Sequence, residues 1–203
     1  LADANPDLIN LYQCLRAGGE EFIAACGALF EPAANERSVY MERRARFNAT
    51  SDGGARAQLF VYLNKHCYNG LCRYNRRGEF NVPFGRYATI RFPADEMRAF
   101  QRKAQAATFL CDDYVRVMRQ AGKGDVEYCD PPYVPLSATA HFTSYSATPF
   151  GIDAQETLAA EAQALAARGV PVLISNHDTA TTRALYASAQ IECFDVRRTI
   201  SCS

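Results

Sequence analysis

The chain lacks net charge: 22 Lys and Arg stand against 22 Asp and Glu in 203 residues. The protein as a whole therefore gives no electrostatic sign of a polyanionic partner. It also lacks any apolar run near the ~20 residues that a membrane-spanning helix needs. No charged-then-apolar leader opens it. Histidine is scarce, and His66, His141 and His177 are far apart. Eight cysteines occur, but none in a C-x-x-C pair. Scattered thiols and dispersed imidazoles argue against a metal site. Cys26, Cys111 and Cys129 sit in apolar segments, where a free thiol packs as a small hydrophobe. The expectation is a metal-free, monomeric, globular protein with reduced cysteines, not associated with a membrane.

What charge there is lies locally. Residues 64–91 hold Lys65, Arg73, Arg76, Arg77, Arg86 and Arg91 against one acid, Glu79. A neutral protein with such a stretch can still bind phosphates there. Upstream, Asn5 is a good N-cap with Pro6 at the first helical position. Leu8, Leu11, Tyr12 and Leu15 form an apolar stripe, which Gly18-Gly19 is expected to close. Helical patterns follow over 20–30, 36–48 and 54–65, the last with Leu59, Phe60 and Leu63 facing inward. Residues 67–93 have no helical period.

After Pro93 helices and strands alternate. Helices are expected over 94–107, 113–121, 153–168 and 179–188, and strands over 108–111, 125–129, 170–175 and 190–197. Leu1-Ala2 reads as the end of one more strand. This alternation predicts an α/β fold with a mostly parallel sheet and covering helices. In open α/β sheets, ligands bind beyond the carboxyl ends of the strands. Asp3, Asp112-Asp113 and Asp130 all fall there. A strand-end aspartate is also a common helix cap, so position alone leaves both roles open.

Residues 125–136 read DVEYCDPPYVPL. A strand-like run ends on Asp130, and Pro131 and Pro132 cannot continue a ladder. Tyr133 follows. At average composition DPPY turns up by chance in roughly one chain of this length in a thousand. It resembles the catalytic motif of DNA amino-methyltransferases. Residues 68–87, YNGLCRYNRRGEFNVPFGRY, are similar to the recognition segment of Dam-type adenine methyltransferases, which read GATC. LADANPDLI, PLSATAHFTSY, VLISNHDT and VRRTIS resemble the same family, in the family's order. The resemblance covers essentially the whole chain.

The resemblance implies a Rossmann-like class I methyltransferase sheet with an inserted helical target-recognition domain. Residues 1–9 would belong to the cofactor-binding half, 10–93 to the recognition domain and 94–203 to the catalytic domain. It implies S-adenosylmethionine as cofactor, double-stranded DNA as partner and a cytoplasmic, nucleoid-associated protein. Asp130 and the carbonyl of Pro131 would accept from the adenine amine, with Pro132 stiffening the exit and Tyr133 stacking on a flipped base. Asp3 would hold the cofactor ribose, Asp112 is a candidate for its adenine, and Asp130 also borders the cofactor. Arg73 has the fork for a guanine edge. Leu71 and Pro83 are candidates for a thymine methyl, and Arg76, Arg77 and Arg86 for phosphates. Tyr68 and Asn69 would wedge into the duplex. Tyr87 fits a backbone contact, and Ser137 a DNA contact from a loop spanning 134–145.

The family also carries an N-terminal lysine-containing strand and a glycine-rich FxGxG loop, and this sequence shows neither. It also ends short of the family's C-terminal tail. The expectation is an N-terminally truncated chain that binds S-adenosylmethionine poorly by itself. Two alternatives stay open: an amino-methyltransferase of a restriction–modification system with another target, and an inactive DNA-binding remnant.

Overall fold

The computed structural model describes residues 1–136 and 150–196. The chain divides into two compact units, Leu1–Asp112 and Asp113–Ser203.

In the first unit, helix α1 (Pro6–Gly27) begins where the sequence predicts. The Asn5 side chain accepts from the N–H groups of Asp7 and Leu8, and Pro6 lies in the first turn. Gly18-Gly19 closes its first helical segment, as the sequence predicts. Gly19 turns to φ 49° and ψ −132°, a kink that only glycine adopts without strain. The helix resumes because Phe22, Ile23 and Cys26 extend the buried face begun by Leu15. Helices α2 (Arg37–Ala49) and α3 (Gly53–His66) follow, with Asp52 capping α3. Leu59, Phe60 and Leu63 are buried as their spacing predicts.

α3 is the hub of this unit. One cluster joins its Leu59, Tyr62 and Leu63 to Tyr40 and Phe47 of α2 and to Phe80 and Val82. Another joins Ala57 and Val61 to α1 and to Met97 of α4 (Ala94–Ala104). Strand β1 (Ala2–Asp3) pairs in parallel with β2 (Leu110–Cys111), Asp3 lying opposite Cys111. α4 packs on α1, so the compact division falls after Asp112 and not at the change of composition near 93.

The second unit contains α5 (Tyr114–Gln120), β3 (Glu127–Cys129), α6 (Ile152–Ala167), β4 (Val172–Ile174) and α7 (Ala180–Leu185). β3 and β4 pair in parallel, Glu127 opposite Val172 and Cys129 opposite Ile174. Met118, Leu158, Ala162, Leu165 and Val170 form the core, with Cys129, Val172 and Ile174 against it. Tyr128 and Leu173 alternate to the other face and are exposed.

The mixed α/β class agrees with the sequence. The strands form two separate two-stranded parallel sheets among the described residues, where the alternation predicted one sheet. The last expected strand is not formed over 190–196: Ile191, Phe194 and Val196 are exposed, and no ladder partner adjoins them among the described residues. Cys111, expected to pack inward, is exposed, because neither residue of β2 is covered. Cys26 and Cys67 are fully buried, and burial pushes both thiols up to about 12, which keeps them protonated. No helix among the described residues is long and apolar enough to cross a membrane. No group of three or more His, Cys, Asp or Glu side chains gathers there to hold a metal.

Candidate functional site

Asp130 follows β3 directly, and Ser175 follows β4. Because Cys129 and Ile174 are register partners, the next residues of the two strands become neighbours. The ladder continues one bond further, Ser175 N–H donating to the Cys129 carbonyl at 3.1 Å. The Ser175 hydroxyl then donates to Asp130 Oδ1 at 2.6 Å, and Tyr128 Oη lies 3.3 Å from the same hydroxyl. Oδ2 of Asp130 accepts no hydrogen bond among the described residues.

The two prolines and Tyr133 are held from β4 and α6. Gln155, fully buried on α6, donates through Nε2 to the Pro132 carbonyl at 2.6 Å. Its Oε1 accepts from Asn176 Nδ2 at 3.1 Å. Asn176 Oδ1 in turn accepts from the Val134 N–H at 2.9 Å. His177 Nδ1 faces the Val134 carbonyl at 2.8 Å, so that nitrogen carries the ring proton. The Tyr133 ring stands edge-to-face with His177, centroids 5.0 Å apart. Every polar atom of the buried Gln155 amide that this brace uses is thereby satisfied, which burial requires. The Pro131 carbonyl, unlike that of Pro132, accepts nothing among the described residues. A carboxylate oxygen and the adjacent carbonyl oxygen are thus left as acceptors on a fixed backbone. That pair suits the two N–H bonds of an amine.

In the first unit the parallel pairing of β1 and β2 brings Asp3 and Asp112 side by side. The Asp112 N–H donates to the Asp3 carbonyl at 3.3 Å. Asp3 Oδ1 accepts from the Asn5 N–H at 2.7 Å. Neither aspartate is a cap. Asn5 caps α1, and Asp113 caps α5 by accepting from the Val115 N–H.

Residues 67–87 form a distorted hairpin packed on α2 and α3. Its two bridges are Cys67 with Phe84 and Tyr74 with Phe80. Asn75 closes the tip: its Oδ1 accepts from the N–H groups of Arg77 and Glu79, and its Nδ2 donates to Glu79 Oε2 at 2.7 Å. α2 grips the return strand through Asn48, which bonds both backbone groups of Phe80, and through Tyr40 and Arg44, which donate to the Val82 carbonyl. At the base, Gly85 N–H donates to the His66 carbonyl at 2.8 Å. A Cβ on Gly85 would meet the Cys67 carbonyl oxygen at 2.7 Å, so the residue must be glycine.

Arg73, Arg76, Arg77, Pro83, Arg86 and Tyr87 are exposed on this hairpin, as are Tyr68 and Asn69. Arg73 is held by Asn81, its Nε donating to Oδ1 at 2.9 Å and its Nη2 to the carbonyl at 3.3 Å. The end-on N–H groups of the guanidinium remain for a partner. Asn69 and Arg86 take left-handed backbone, φ 53° and 54°. The Tyr87 hydroxyl accepts from the Asn69 N–H at 2.8 Å, which leaves its own proton to donate. Leu71 is half-buried against the α2–α3 core. Arg91 leaves the basic set, since Asp95 and Glu96 pair with it. Arg37 and Arg44 join it, because a cavity of about 280 Å³ sets them with Met41 beside Pro83, Phe84 and Arg86. Ser137 lies outside the described residues.

The structure thus gathers Asp130 to Tyr133 in one loop, Asp3 with Asp112, and Tyr68 to Tyr87 in one hairpin. Sequence reasoning passed over Ser175, Gln155, Asn176, His177 and Asn81, which hold those residues. Ser175, Asn176 and His177 carried a usable signal, being polar residues at the carboxyl end of a strand. Gln155 carried none, since a glutamine near the start of an alanine-rich helix is an ordinary helix former.

Residues 1–200 match the family of D12 class N6 adenine-specific DNA methyltransferases. The chain is 51% identical over 201 residues to the DNA adenine methylase of Salmonella typhi, covering 99% of this chain and 72% of that protein. It is 50% identical to the DNA adenine methylase of Escherichia coli K12, with the same coverage. It is 48% identical over 202 residues to that of Vibrio cholerae, covering 99% of this chain and 73% of the relative. A family match over residues 1–200, with about half of the residues identical over an alignment that spans 99% of the chain, places it: the chain belongs to the D12 class of N6 adenine-specific DNA methyltransferases.

Proposed function

We propose that the protein swings an adenine of GATC out of duplex DNA and methylates its exocyclic amine, with S-adenosylmethionine as donor. The observation that carries this reading is the pair of acceptors unclaimed among the described residues, Asp130 Oδ2 and the Pro131 carbonyl, beside the claimed carbonyl of Pro132. An adenine amine is a poor nucleophile because its lone pair is delocalised into the ring. Two acceptors, one per N–H, draw the nitrogen toward a tetrahedral shape and return the lone pair to it. Because Ser175, Gln155 and Asn176 already fix the loop, little reorganisation accompanies that step, which is electrostatic preorganisation. The amine proton leaves after transfer, so Asp130 need not be a strong base. Tyr133, steadied by His177, offers the flipped base a stacking face.

Asp3 suits a ribose diol, since Oδ1 is anchored by Asn5 and Oδ2 accepts nothing among the described residues. Asp112 lies next to it for the adenine of the cofactor. When bound, S-adenosylmethionine supplies an electrophilic methyl group. Arg73 reads guanine, Leu71 and Pro83 meet a thymine methyl, and Tyr68 and Asn69 fill the gap left by the flipped base. Arg76, Arg77, Arg86 and Tyr87 hold phosphates, which fixes register without reading sequence. In this reading residues 10–93 are the recognition part of a Rossmann-like class I enzyme, 1–9 belong to its cofactor-binding half and 94–203 are its catalytic part.

The test is Asp130→Ala in the protein that carries this chain. Methyl transfer to a GATC duplex should fall at least roughly 10²–10³-fold, by analogy with removing one preorganised group from an active site. Duplex affinity should hold. Retained transfer would remove Asp130 from the chemistry.

A further inference from the structure

Beneath the segment that carries Arg73 lies a part-buried polar cluster, centred on a buried carboxylate, with no part in the site as assigned so far. Asp7, on the first turn of α1, is 5% exposed. Arg56 of α3 pairs with it through two of its three nitrogens, Nε to Oδ1 at 2.5 Å and Nη2 to Oδ2 at 3.0 Å. The same guanidinium donates to the Phe47 carbonyl at 2.8 Å and lies 4.1 Å over the Phe47 ring. The Tyr74 hydroxyl donates to Asp7 Oδ2 at 2.6 Å. One carboxylate therefore ties α1 and α3 to the residue that directly follows Arg73. The residue that precedes Arg73 is tied as well, since Asn5 Nδ2 donates to Cys72 Sγ at 3.4 Å.

The ladder here is short: the isolated bridge of Tyr74 with Phe80 is flanked by only two backbone bonds, Asn75 N–H to the Glu79 carbonyl at 2.9 Å and Asn81 N–H to the Arg73 carbonyl at 3.1 Å. Side chains alternate along extended backbone, and a slip of one residue would turn Arg73 inward. A Tyr74 hydroxyl fixed on a buried carboxylate reinforces the register from the side-chain level. It points residue 74 inward and so residue 73 outward, where Asn81 holds its guanidinium. Burial and the Asp7 carboxylate both raise the Tyr74 phenol, so it stays a donor at any physiological pH.

We infer that Tyr74, Asp7 and Arg56 are positioning residues for base reading by Arg73. This rests on the reading role proposed for Arg73. A phenylalanine at 74 keeps the edge-to-face contact with Phe80, 5.9 Å between centroids, and loses only the anchor.

The experiment measures kcat/KM on the preferred duplex and on duplexes altered at one base pair, for wild type, Arg73→Ala, Tyr74→Phe and the double variant. Tyr74→Phe should lower discrimination about tenfold, the scale of a hydrogen bond to a charged group. The loss should fall at the base pair that Arg73→Ala relaxes, with KM for the methyl donor unchanged. Added to Arg73→Ala, it should change discrimination no further. Arg56→Lys, which keeps the charge and loses the fork, should act in the same direction. An equal loss on every duplex, with discrimination intact, would make the cluster merely structural and overturn the inference. If Arg73→Ala relaxes sequence choice and Tyr74→Phe does not, the inference fails by itself. If Arg73→Ala leaves discrimination whole, the reading of Arg73 fails and takes the inference with it.

Discussion

Asp130 is exposed, and among the described residues one of its oxygens is committed and the other is not. The register of β3 and β4 makes that division, because it delivers Ser175 to Oδ1. In the proposed reading, Ser175 therefore orients the carboxylate without competing for the amine. Ser175→Ala should lower kcat about tenfold, the effect of losing one hydrogen bond to a charged group, and leave KM for DNA unchanged. A rise in KM with kcat intact would instead make Ser175 a binding residue. DPPY was legible because prolines after a strand-end carboxylate are rare and have a physical reading. Its support was not legible. Gln155, Asn176 and His177 reach the loop from 23 to 43 positions away in sequence, and no local pattern encodes such contacts.

Among the elements, the hairpin of 67–87 shows how little regular structure the proposed recognition surface needs. It has two isolated bridges, and its shape comes from Asn48, Tyr40, Arg44, Asn75 and Asn81 bonding to it or across it. Its base depends on the close approach of Gly85 to the Cys67 carbonyl. Gly85→Ala should cost about 1–3 kcal/mol, the usual penalty for overpacking. Because Tyr87 is the other neighbour of that Cβ and braces Asn69, duplex binding should weaken more than stability does. Thermal melting beside a duplex titration checks this, and unchanged binding would contradict it.

The helices of this unit were readable from their apolar spacing and caps. Gly18-Gly19 marked a true break in α1, since Gly19 leaves helical backbone before the buried face resumes. The strand expected over 190–197 is not formed over 190–196, because alternation marks a strand only where a neighbour completes the ladder.

For the whole molecule, neutrality in total conceals a local excess of arginine. No carboxylate pairs with Arg73, Arg76, Arg77 or Arg86 among the described residues, whereas Arg91, Arg98, Arg119 and Arg183 are all paired. The two compact units were only partly legible, because the composition change near 93 marks the end of the hairpin and not the end of the packing of α4 on α1.

Stability also responds to a residue outside the site. His66 is buried, stacked on Tyr62 at 3.9 Å, and burial with Arg43 nearby lowers its pKa from the ordinary 6.5. The unfolded chain then binds the proton more readily than the folded one. Stability should be full above pH 6.5, fall as the pH drops below it, and level off beneath the lowered folded value. His66→Phe should remove that part of the slope in Tm against pH, and an unchanged slope would contradict the assignment.

The central claim is that the loop ending β3 activates an adenine amine within GATC. Its most direct measurement is base-resolved mapping of methylated DNA from cells that lack adenine methylation and express the protein carrying this chain, beside its Asp130→Ala variant. The account predicts N6-methyladenine in GATC with the wild-type protein and none with the variant. Methylation of cytosine, of adenine only outside GATC, or by the variant as well would contradict it.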